Sequence, residues 1–195
     1  KVKKDEARAG LLLLLGRKEE AISAYEKLIE RNPDQGEYYT QSLAARGEDE
    51  LSESRRKTVE AWCEARPKAA APKLLLLKEL QGDNFVEPMR RYLLDGIRKG
   101  VPSLLESINF VYDDERKSCI VGKVLVSILD QVGKDGAVEN PTCKLWTLHL
   151  LSVHASKLGR FEEAIELSDQ ALAHTPTLLE LYTARGKVHQ MMGEH

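Results

Sequence analysis

The segment GRFEEAIELSDQALAHTP, from Gly159 to Pro176, decides the predicted fold, because the chain contains a second copy of its frame. The stretch GRKEEAISAYEKLIERNP, from Gly16 to Pro33, shares seven of its eighteen residues without a gap. The shared residues are Gly, Arg, Glu, Glu, Ala, Ile and the closing Pro. A frame that recurs within one chain predicts a repeat architecture.

The length of the repeat follows from two further pairs of residues. Gly159 and Gly193 are 193 − 159 = 34 residues apart, and Pro33 and Pro67 are 67 − 33 = 34 residues apart. A period of about 34 residues with small residues at fixed places is typical of the tetratricopeptide repeat. We therefore predict an all-α fold, a tetratricopeptide-type α-solenoid of antiparallel helix pairs that forms a right-handed superhelix.

Each residue of the frame has a physical role in a helix pair. Gly159 follows the first helix, where a left-handed backbone conformation is common. Ala164 and Ala171 lie seven residues apart on one face of the second helix, where small side chains let helices approach closely. Pro176 ends the pair, since the residue before a proline disfavours helix. The predicted repeat framework consists of Gly16, Ala21, Pro33, Pro67, Gly159, Ala164, Ala171, Pro176, Gly186 and Gly193.

The helix pairs are predicted to form one helical-repeat segment over residues 1–195. The second unit is degenerate, because Arg55 stands where the frame has alanine. The segment PSLLESINFVY, residues 102–112, is predicted as the first helix of the fourth unit. The apolar residues of the last helix lead us to expect that the natural chain continues past His195. The approximate units are 1–34, 35–68, 69–100, 101–132, 143–176 and 177–195, the last of them truncated.

Composition and charge favour a folded helical protein. Hydrophobic residues make up 42% of the chain and charged residues 31%, and the formal net charge of −2 gives no strong field for nucleic acid or membrane. Cys63, Cys119 and Cys143 are far apart, which indicates reduced thiols in an intracellular protein. The run Leu11 to Leu15 is too short to cross a bilayer and is predicted as part of a buried helix.

The sequence offers no catalytic constellation. The glycines of QVGKDGA, residues 131–137, follow no predicted strand, so a loop between helix pairs is favoured over a phosphate loop. His149 and His154 would point about 140° apart on a helix, which favours packing or surface histidines over metal ligands. We therefore predict no catalytic residue, no cofactor and no metal site, and we predict that the chain is not an enzyme.

One cluster of basic residues is a candidate contact surface. Arg90, Arg91, Arg98 and Lys99 lie on one predicted helix, and Arg91 and Arg98 share a face because they are seven residues apart. Such a cluster can contact a partner or the phosphates of ribosomal RNA. The alternative, a solvated helix face balanced by neighbouring acids, is the interpretation that we favour.

The sequence between the fixed positions of the repeat resembles one protein family. The segments LIERNPDQGEYY, KGVPSLLESINFVYDDERK, FEEAIELSDQALAH and TPTLLELYTARGKVHQMMG, in this order, are similar to the auxiliary subunit of the eukaryotic N-terminal acetyltransferase complex A, NatA. The resemblance covers nearly the whole chain and only an internal part of such a subunit.

The resemblance implies a non-catalytic scaffold in the cytoplasm, with acetyl-CoA and the catalytic residues on another chain. The partners it implies are a GNAT-fold catalytic acetyltransferase subunit, the ribosome near its exit tunnel and a small regulatory protein, with no membrane and no DNA. Two alternatives remain at this point. One is a tetratricopeptide adaptor of an unrelated complex, and the other is an enzyme domain that binds acetyl-CoA itself.

Overall fold

The computed structural model of the chain describes residues 2–48, 52–132 and 141–193. Every regular element in these ranges is helical, which confirms the all-α prediction. Eleven of the described elements are α-helices, and a 3-10 segment, Asn109–Asp113, follows the seventh. The helices are α1 (Val2–Leu14), α2 (Lys18–Arg31), α3 (Gly36–Arg46), α4 (Glu53–Ala65), α5 (Ala71–Glu79), α6 (Asp83–Lys99), α7 (Leu104–Ser107), α8 (Glu115–Gln131), α9 (Pro141–Lys157), α10 (Phe161–His174) and α11 (Leu179–Met192).

The chain divides into two compact lobes. The N-terminal lobe, Lys1–Leu80, packs α1 on α2, α2 on α3, and α5 on both α3 and α4. At its centre the rings of Tyr39 and Trp62 meet edge to face, with centroids 5.1 Å apart. Both rings are buried, so this aromatic contact joins α3 to α4.

The C-terminal lobe, Gln81–His195, is organised around α9. This helix contacts α6, α7, α8, α10 and α11, and Leu148 and Ala155 on it are almost completely buried. Leu148 packs with Ala171 of α10 and Leu181 of α11, and Ala155 packs with Ala164 of α10. The central position of α9 leaves a groove on each of two sides of this helix.

The turn after the first helix of a pair has the same geometry in its two copies. Gly16 has a φ of +70° and Gly159 a φ of +73°, the left-handed region in which glycine carries no steric penalty. In both turns the next backbone N–H reaches back five residues, from Arg17 to the Leu12 carbonyl and from Arg160 to the Ala155 carbonyl, at 2.9 Å each. The repeated glycine therefore ends a helix and aims the chain into the next one.

The closing prolines also make one contact twice. The hydroxyl of Tyr39 donates to the Pro33 carbonyl, and that of Tyr182 donates to the Pro176 carbonyl, each at 2.8 Å and each six residues along the chain. A tyrosine in the first turns of the next helix thus satisfies the carbonyl that the preceding helix pair leaves open. The same local sequence gives the same local structure in both lobes.

The remaining framework residues lie at positions of three kinds. The alanines Ala21, Ala164 and Ala171 have no exposed surface. Gly186 lies within α11, and Gly193 ends that helix with a φ of +77°. Pro67 lies two residues after Ala65, the last residue of α4, with Arg66 between them. The division into six units along a single segment stays a prediction.

The leucine run differs from its prediction. Leu12 is buried and Leu13 is partly buried, whereas Leu11, Leu14 and Leu15 are exposed. Five successive residues cover the whole circumference of a helix, because one turn takes about 3.6 residues. Within this lobe α1 packs mainly on α2, so only one side of the run is covered.

The first helix predicted at residues 102–112 is also wrong in length. The chain there forms only α7, followed by the 3-10 segment. Ile108, with φ −109° and ψ 27°, lies between the two and leaves the α-helical region. Ile108 and Val111 are both fully buried, so the tighter 3-10 turn places apolar side chains in the core that a continuous helix would carry elsewhere.

Two further sequence predictions concern membrane-spanning segments and the loop after α8. Within the described ranges, none of the helices combines the length and the apolarity that a membrane crossing requires. Most of the predicted loop at residues 131–137 lies outside the described residues.

Candidate protein-binding groove

A groove of about 480 Å³ runs along α9 in the C-terminal lobe, between α7 and α11. We call it the first-helix groove, because it is lined by the first helices of successive pairs. Its volume is within the range of sites that bind ligands or inserted side chains, about 300–1,000 Å³. The apolar residues that line it include Leu105, Val153, Leu179, Ala184, Val188 and Met191.

One ridge of α11 supplies the exposed apolar surface of this groove. Leu179 is 73% exposed and Met191 is 57% exposed. They are twelve residues apart, with Thr183 and Lys187 between them at intervals of four. Because a helix rises about 1.5 Å and turns about 100° per residue, the two apolar side chains lie about 18 Å apart along α11 and about 120° apart around it, at the two ends of one ridge of residues spaced by four. Large exposed apolar side chains that rim a groove are typical of protein-binding surfaces.

Charges of both signs line the first-helix groove. Lys157 donates from Nζ to Oδ1 of Asn109 at 2.7 Å, and its ammonium lies 5.0 Å from the centre of the Tyr112 ring. Lys187 is exposed and takes part in none of the ion pairs found among the described residues. The acids are Glu106 and Glu180. The groove thus suits a partner segment that has both apolar and charged side chains.

The groove contains one histidine, His149, in the middle of α9. Its ring packs edge to face on Trp146, with centroids 5.7 Å apart. Burial lowers the pKa of His149, although a backbone hydrogen bond with Pro102 and the charge of Glu180 oppose this effect. The ring is therefore mainly neutral near pH 7 and acts as packing surface. Among the described residues, no group of three His, Cys, Asp or Glu side chains is arranged to hold a metal ion.

The basic residues predicted from the sequence all lie on α6 and line neither side of the first-helix groove. Arg90 donates to Ser127 Oγ at 3.3 Å and to the Gln131 side chain, so it joins α6 to α8. Arg91 pairs with Glu87 at 2.9 Å, four residues away on the same helix. Arg98 and Lys99 are exposed in the last turn of α6. A contact role for these four residues stays a prediction.

Comparison with known proteins adds the family. The family model described as "N-terminal acetyltransferase A, auxiliary subunit" matches residues 1–195, the whole chain. The chain belongs to the NatA auxiliary subunit family. This confirms the resemblance predicted from its sequence.

Two relatives of the NatA auxiliary family have similar sequences. The Arabidopsis thaliana "N-terminal acetyltransferase A complex auxiliary subunit NAA15" is 30% identical over 203 residues, which cover 97% of this chain and 23% of the relative. The human "N-alpha-acetyltransferase 16, NatA auxiliary subunit" is 29% identical over 197 residues, again 97% of this chain and 23% of the relative. The chain therefore spans about a quarter of the length of the curated relatives that it matches.

A solved structure confirms the architecture of this NatA auxiliary segment. The chain resembles one chain of the solved complex "Structure of Naa15/Naa10 bound to HypK-THB" with a TM-score of 0.88. The match covers 97% of this chain and 29% of that chain, at 24% sequence identity. At this identity the likeness shows the fold, and it confirms the predicted helical-repeat solenoid.

Sequence reasoning did not single out the first-helix groove of this NatA auxiliary segment. Its exposed residues Leu179 and Met191 stood in the apolar pattern of the last helix together with Leu181 and Val188. The structure separates the two sets, because Leu181 and Val188 pack back on α9 and α10 and are buried. The signal was present in the angular positions around the helix, since Leu181 and Val188 lie within about 20° of each other, whereas Leu179 and Met191 lie about 160° and about 80° from Leu181.

Proposed function

We propose that this chain is a segment of the scaffold subunit of a NatA protein N-terminal acetyltransferase. In that role the repeats bind and position a GNAT-fold catalytic subunit, which acetylates nascent chains during translation. The observation that carries the proposal is the family match over all of residues 1–195. The names of the relatives support it, since both describe an auxiliary subunit of this acetyltransferase.

The first-helix groove is the surface that we assign to the catalytic subunit. Its exposed ridge, with Leu179 and Met191 at its ends, offers apolar anchors that gain free energy when a partner covers them. Lys187 between them can pair with an acidic side chain of the partner and fix its register. A preformed helical surface also lowers the entropic cost of assembly, because its side chains are already held by packing.

Catalysis in this proposal belongs to the partner chain. The histidine of the groove, His149, is buried, packed against Trp146 and hydrogen-bonded with the backbone of Pro102, so its ring serves as packing surface and is not presented to a substrate. We infer that acetyl-CoA and the catalytic residues are held by the GNAT-fold subunit. The solved neighbour is a complex of Naa15 and Naa10 bound to HypK, which supports a catalytic partner and a small regulatory protein for this chain.

We further propose that the parent protein acts in the cytoplasm and anchors the enzyme to the ribosome near the exit tunnel. Arg98 and Lys99 are the exposed basic residues that support a contact with RNA phosphates, whereas Arg90 and Arg91 already have partners in the fold. The double substitution Arg98→Ala and Lys99→Ala in the full-length protein is expected to lower co-sedimentation with ribosomes at low salt. Unchanged co-sedimentation would remove these residues from the contact.

Two charges introduced into the first-helix groove test whether it is the docking surface for the catalytic subunit. The double variant Leu179→Glu and Met191→Glu, made in the full-length protein, is expected to weaken binding of the catalytic subunit at least tenfold. The physical reason is that two apolar anchors become carboxylates that must be desolvated on binding. The affinity can be measured by isothermal titration with the purified GNAT-fold subunit.

The matched control for this experiment is Val86→Glu, an exposed apolar residue of α6 outside this groove. It is expected to leave the affinity for the catalytic subunit unchanged. Equal losses in both variants would indicate a general defect and contradict the assignment of the groove. If the unmodified protein bound no GNAT-fold subunit at all, the adaptor of an unrelated complex would become the better account.

A further inference from the structure

A second groove lies on another side of α9, between α8 and α10 of the C-terminal lobe, with a volume of about 780 Å³. We call it the second-helix groove, because its walls are the second helices of two pairs. Its walls are formed by Cys119, Gly122 and Val126 of α8 and by Arg160 and Glu163 at the start of α10, and its floor by Leu151, His154 and Leu158 of α9 and its end. The preceding second helix, α6, packs directly against α8, whereas this groove separates α8 from α10.

The α8 wall has the spacing of a helix–helix seam. Cys119, Gly122 and Val126 follow one another at intervals of three and four residues, so they lie on one face of α8. Val126 is 48% exposed, and Leu158 on the floor of the groove is 41% exposed. Intervals of three and four are those by which one helix receives the side chains of another. This face of α8 therefore has the residue spacing of a helix-packing surface, and an open groove lies where a packed helix would be.

Gly122 opens the middle of this seam. A Cβ at that position would lie 2.8 Å from Nε2 of His154, so the floor of the groove reaches the imidazole only because the residue is glycine. Nδ1 of His154 pairs with the Tyr112 hydroxyl at 3.0 Å. Burial, together with the charge of Arg160, lowers the pKa of His154 to about 4, so the ring is neutral at pH 7. A partner side chain can cover it without desolvating a charge.

The charges beside the seam form a pattern along α8. Glu115, Lys123 and Asp130 line the groove at intervals of eight and seven residues, which again is one face of the helix. None of the three takes part in an ion pair among the described residues. On the opposite wall, Arg160 and Glu163 pair with each other at 2.9 Å. The unpaired charges of the groove therefore lie on α8, in the order acidic, basic, acidic along the helix.

We propose that the second-helix groove docks one amphipathic α-helix of another protein, whose charges run basic, acidic, basic at intervals of about two turns. Its apolar stripe covers Val126 and Leu158. A small hydroxyl or amide side chain faces Gly122, where it can donate to or accept from the His154 ring in either tautomer. This surface is separate from the first-helix groove, and the inference does not depend on the proposed function.

A designed peptide tests the chemistry of this groove directly. The probe is a fluorescent helical peptide with leucines along one stripe, a serine at the position facing Gly122, and Lys, Glu and Lys spaced to meet the three α8 charges. Fluorescence anisotropy at low salt is expected to show about tenfold tighter binding than for the charge-reversed peptide. Three exposed ion pairs supply this preference, so it should shrink as salt is raised.

Two variants assign the binding to the groove. Val126→Glu is expected to weaken the matched peptide at least tenfold, whereas Leu179→Glu, in the first-helix groove, leaves it unchanged. Lys123→Glu should reduce the preference for the matched peptide. A peptide in which lysine replaces the central glutamate should bind this variant as the matched peptide binds the unmodified protein. Equal binding of the two original peptides, or no effect of Val126→Glu, overturns the proposal.

Sedimentation of the unmodified chain tests whether a second copy of the chain, instead of a helix of another protein, fills the second-helix groove. The proposal expects a chain that does not self-associate through α8 at the concentrations used for anisotropy. A dimer that Val126→Glu converts to a monomer would show that a second copy fills the groove, and would overturn the proposal.

Discussion

Replacing Phe85 by alanine is expected to lower the free energy of unfolding of the C-terminal lobe by about 4 kcal/mol, the cost typical of truncating a buried aromatic side chain. Phe85 has no exposed surface. Its ring centre also lies 5.1 Å from the ammonium of Lys117, which is buried and lies 5.7 Å from the Phe110 ring. The substitution therefore leaves a cavity beside a buried cation and weakens its aromatic surroundings.

The measurement is urea unfolding followed by circular dichroism, with Val86→Ala as the matched control. Val86 is the next residue of α6 and is exposed, so its truncation is expected to cost less than about 1 kcal/mol. A similar small loss for Phe85→Ala would show that the ring does not anchor α6 to the lobe. Lys117 has a lowered pKa, because burial opposes its charge, which makes the loss of one of its rings more costly.

The substitution Arg55→Met is expected to destabilise the N-terminal lobe by about 3 kcal/mol, the usual result of removing one partner of a buried ion pair. Arg55 Nε lies 2.6 Å from Oε1 of Glu79, and the two side chains are only 14% and 10% exposed. Glu79 Oε2 has no hydrogen-bond partner among the described residues. Without Arg55, a buried carboxylate would therefore lose its closest cation.

A double variant distinguishes the loss of the Arg55–Glu79 ion pair from a change in packing caused by the new methionine. Arg55→Met combined with Glu79→Met is expected to recover most of the lost stability, since apolar side chains then replace both charges. Lys57→Met removes the exposed pair of Lys57 with Glu53 on the same helix and is expected to cause no measurable change. A double variant as unstable as Arg55→Met would show that the methionine disturbs packing and that the ion pair is not the cause.

The helix pairs could be predicted from the sequence, because their signals are local. The glycine that ends the first helix and the proline that closes the pair act within one or two turns, and Gly16, Gly159, Pro33 and Pro176 make the same hydrogen bonds in both copies. Asp114 is a further local signal, since its side chain accepts the backbone N–H groups of Arg116 and Lys117 at the start of α8.

The features that the sequence did not predict come from contacts that are distant in sequence. Arg55 occupies the place of Ala21 one repeat later, and only its pairing with Glu79 of α5 explains how a charge is tolerated there. The end of α7 depends on Ile108 and Val111 entering a core that other helices build. Periodicity alone does not specify such contacts, because they are set by tertiary packing.

Both grooves depend on the same kind of information. The sequence shows that α8, α9 and α11 have apolar faces, and the 34-residue period shows that they are neighbours. Which apolar residues stay exposed follows from the packing of whole helices, as Leu179 and Leu181 show on nearly opposite sides of α11. The opening over His154 depends on one missing side chain, that of Gly122, beside a residue far along the chain.

Purification of the full-length parent protein from its own cells tests the central claim most directly. With a tag on the parent protein and mass spectrometry of the eluate at low salt, the account predicts a GNAT-fold acetyltransferase in equal amount, and acetylation of N-terminal peptides by the preparation. A stable preparation of the full-length protein that contains no acetyltransferase and acetylates no peptide would contradict it.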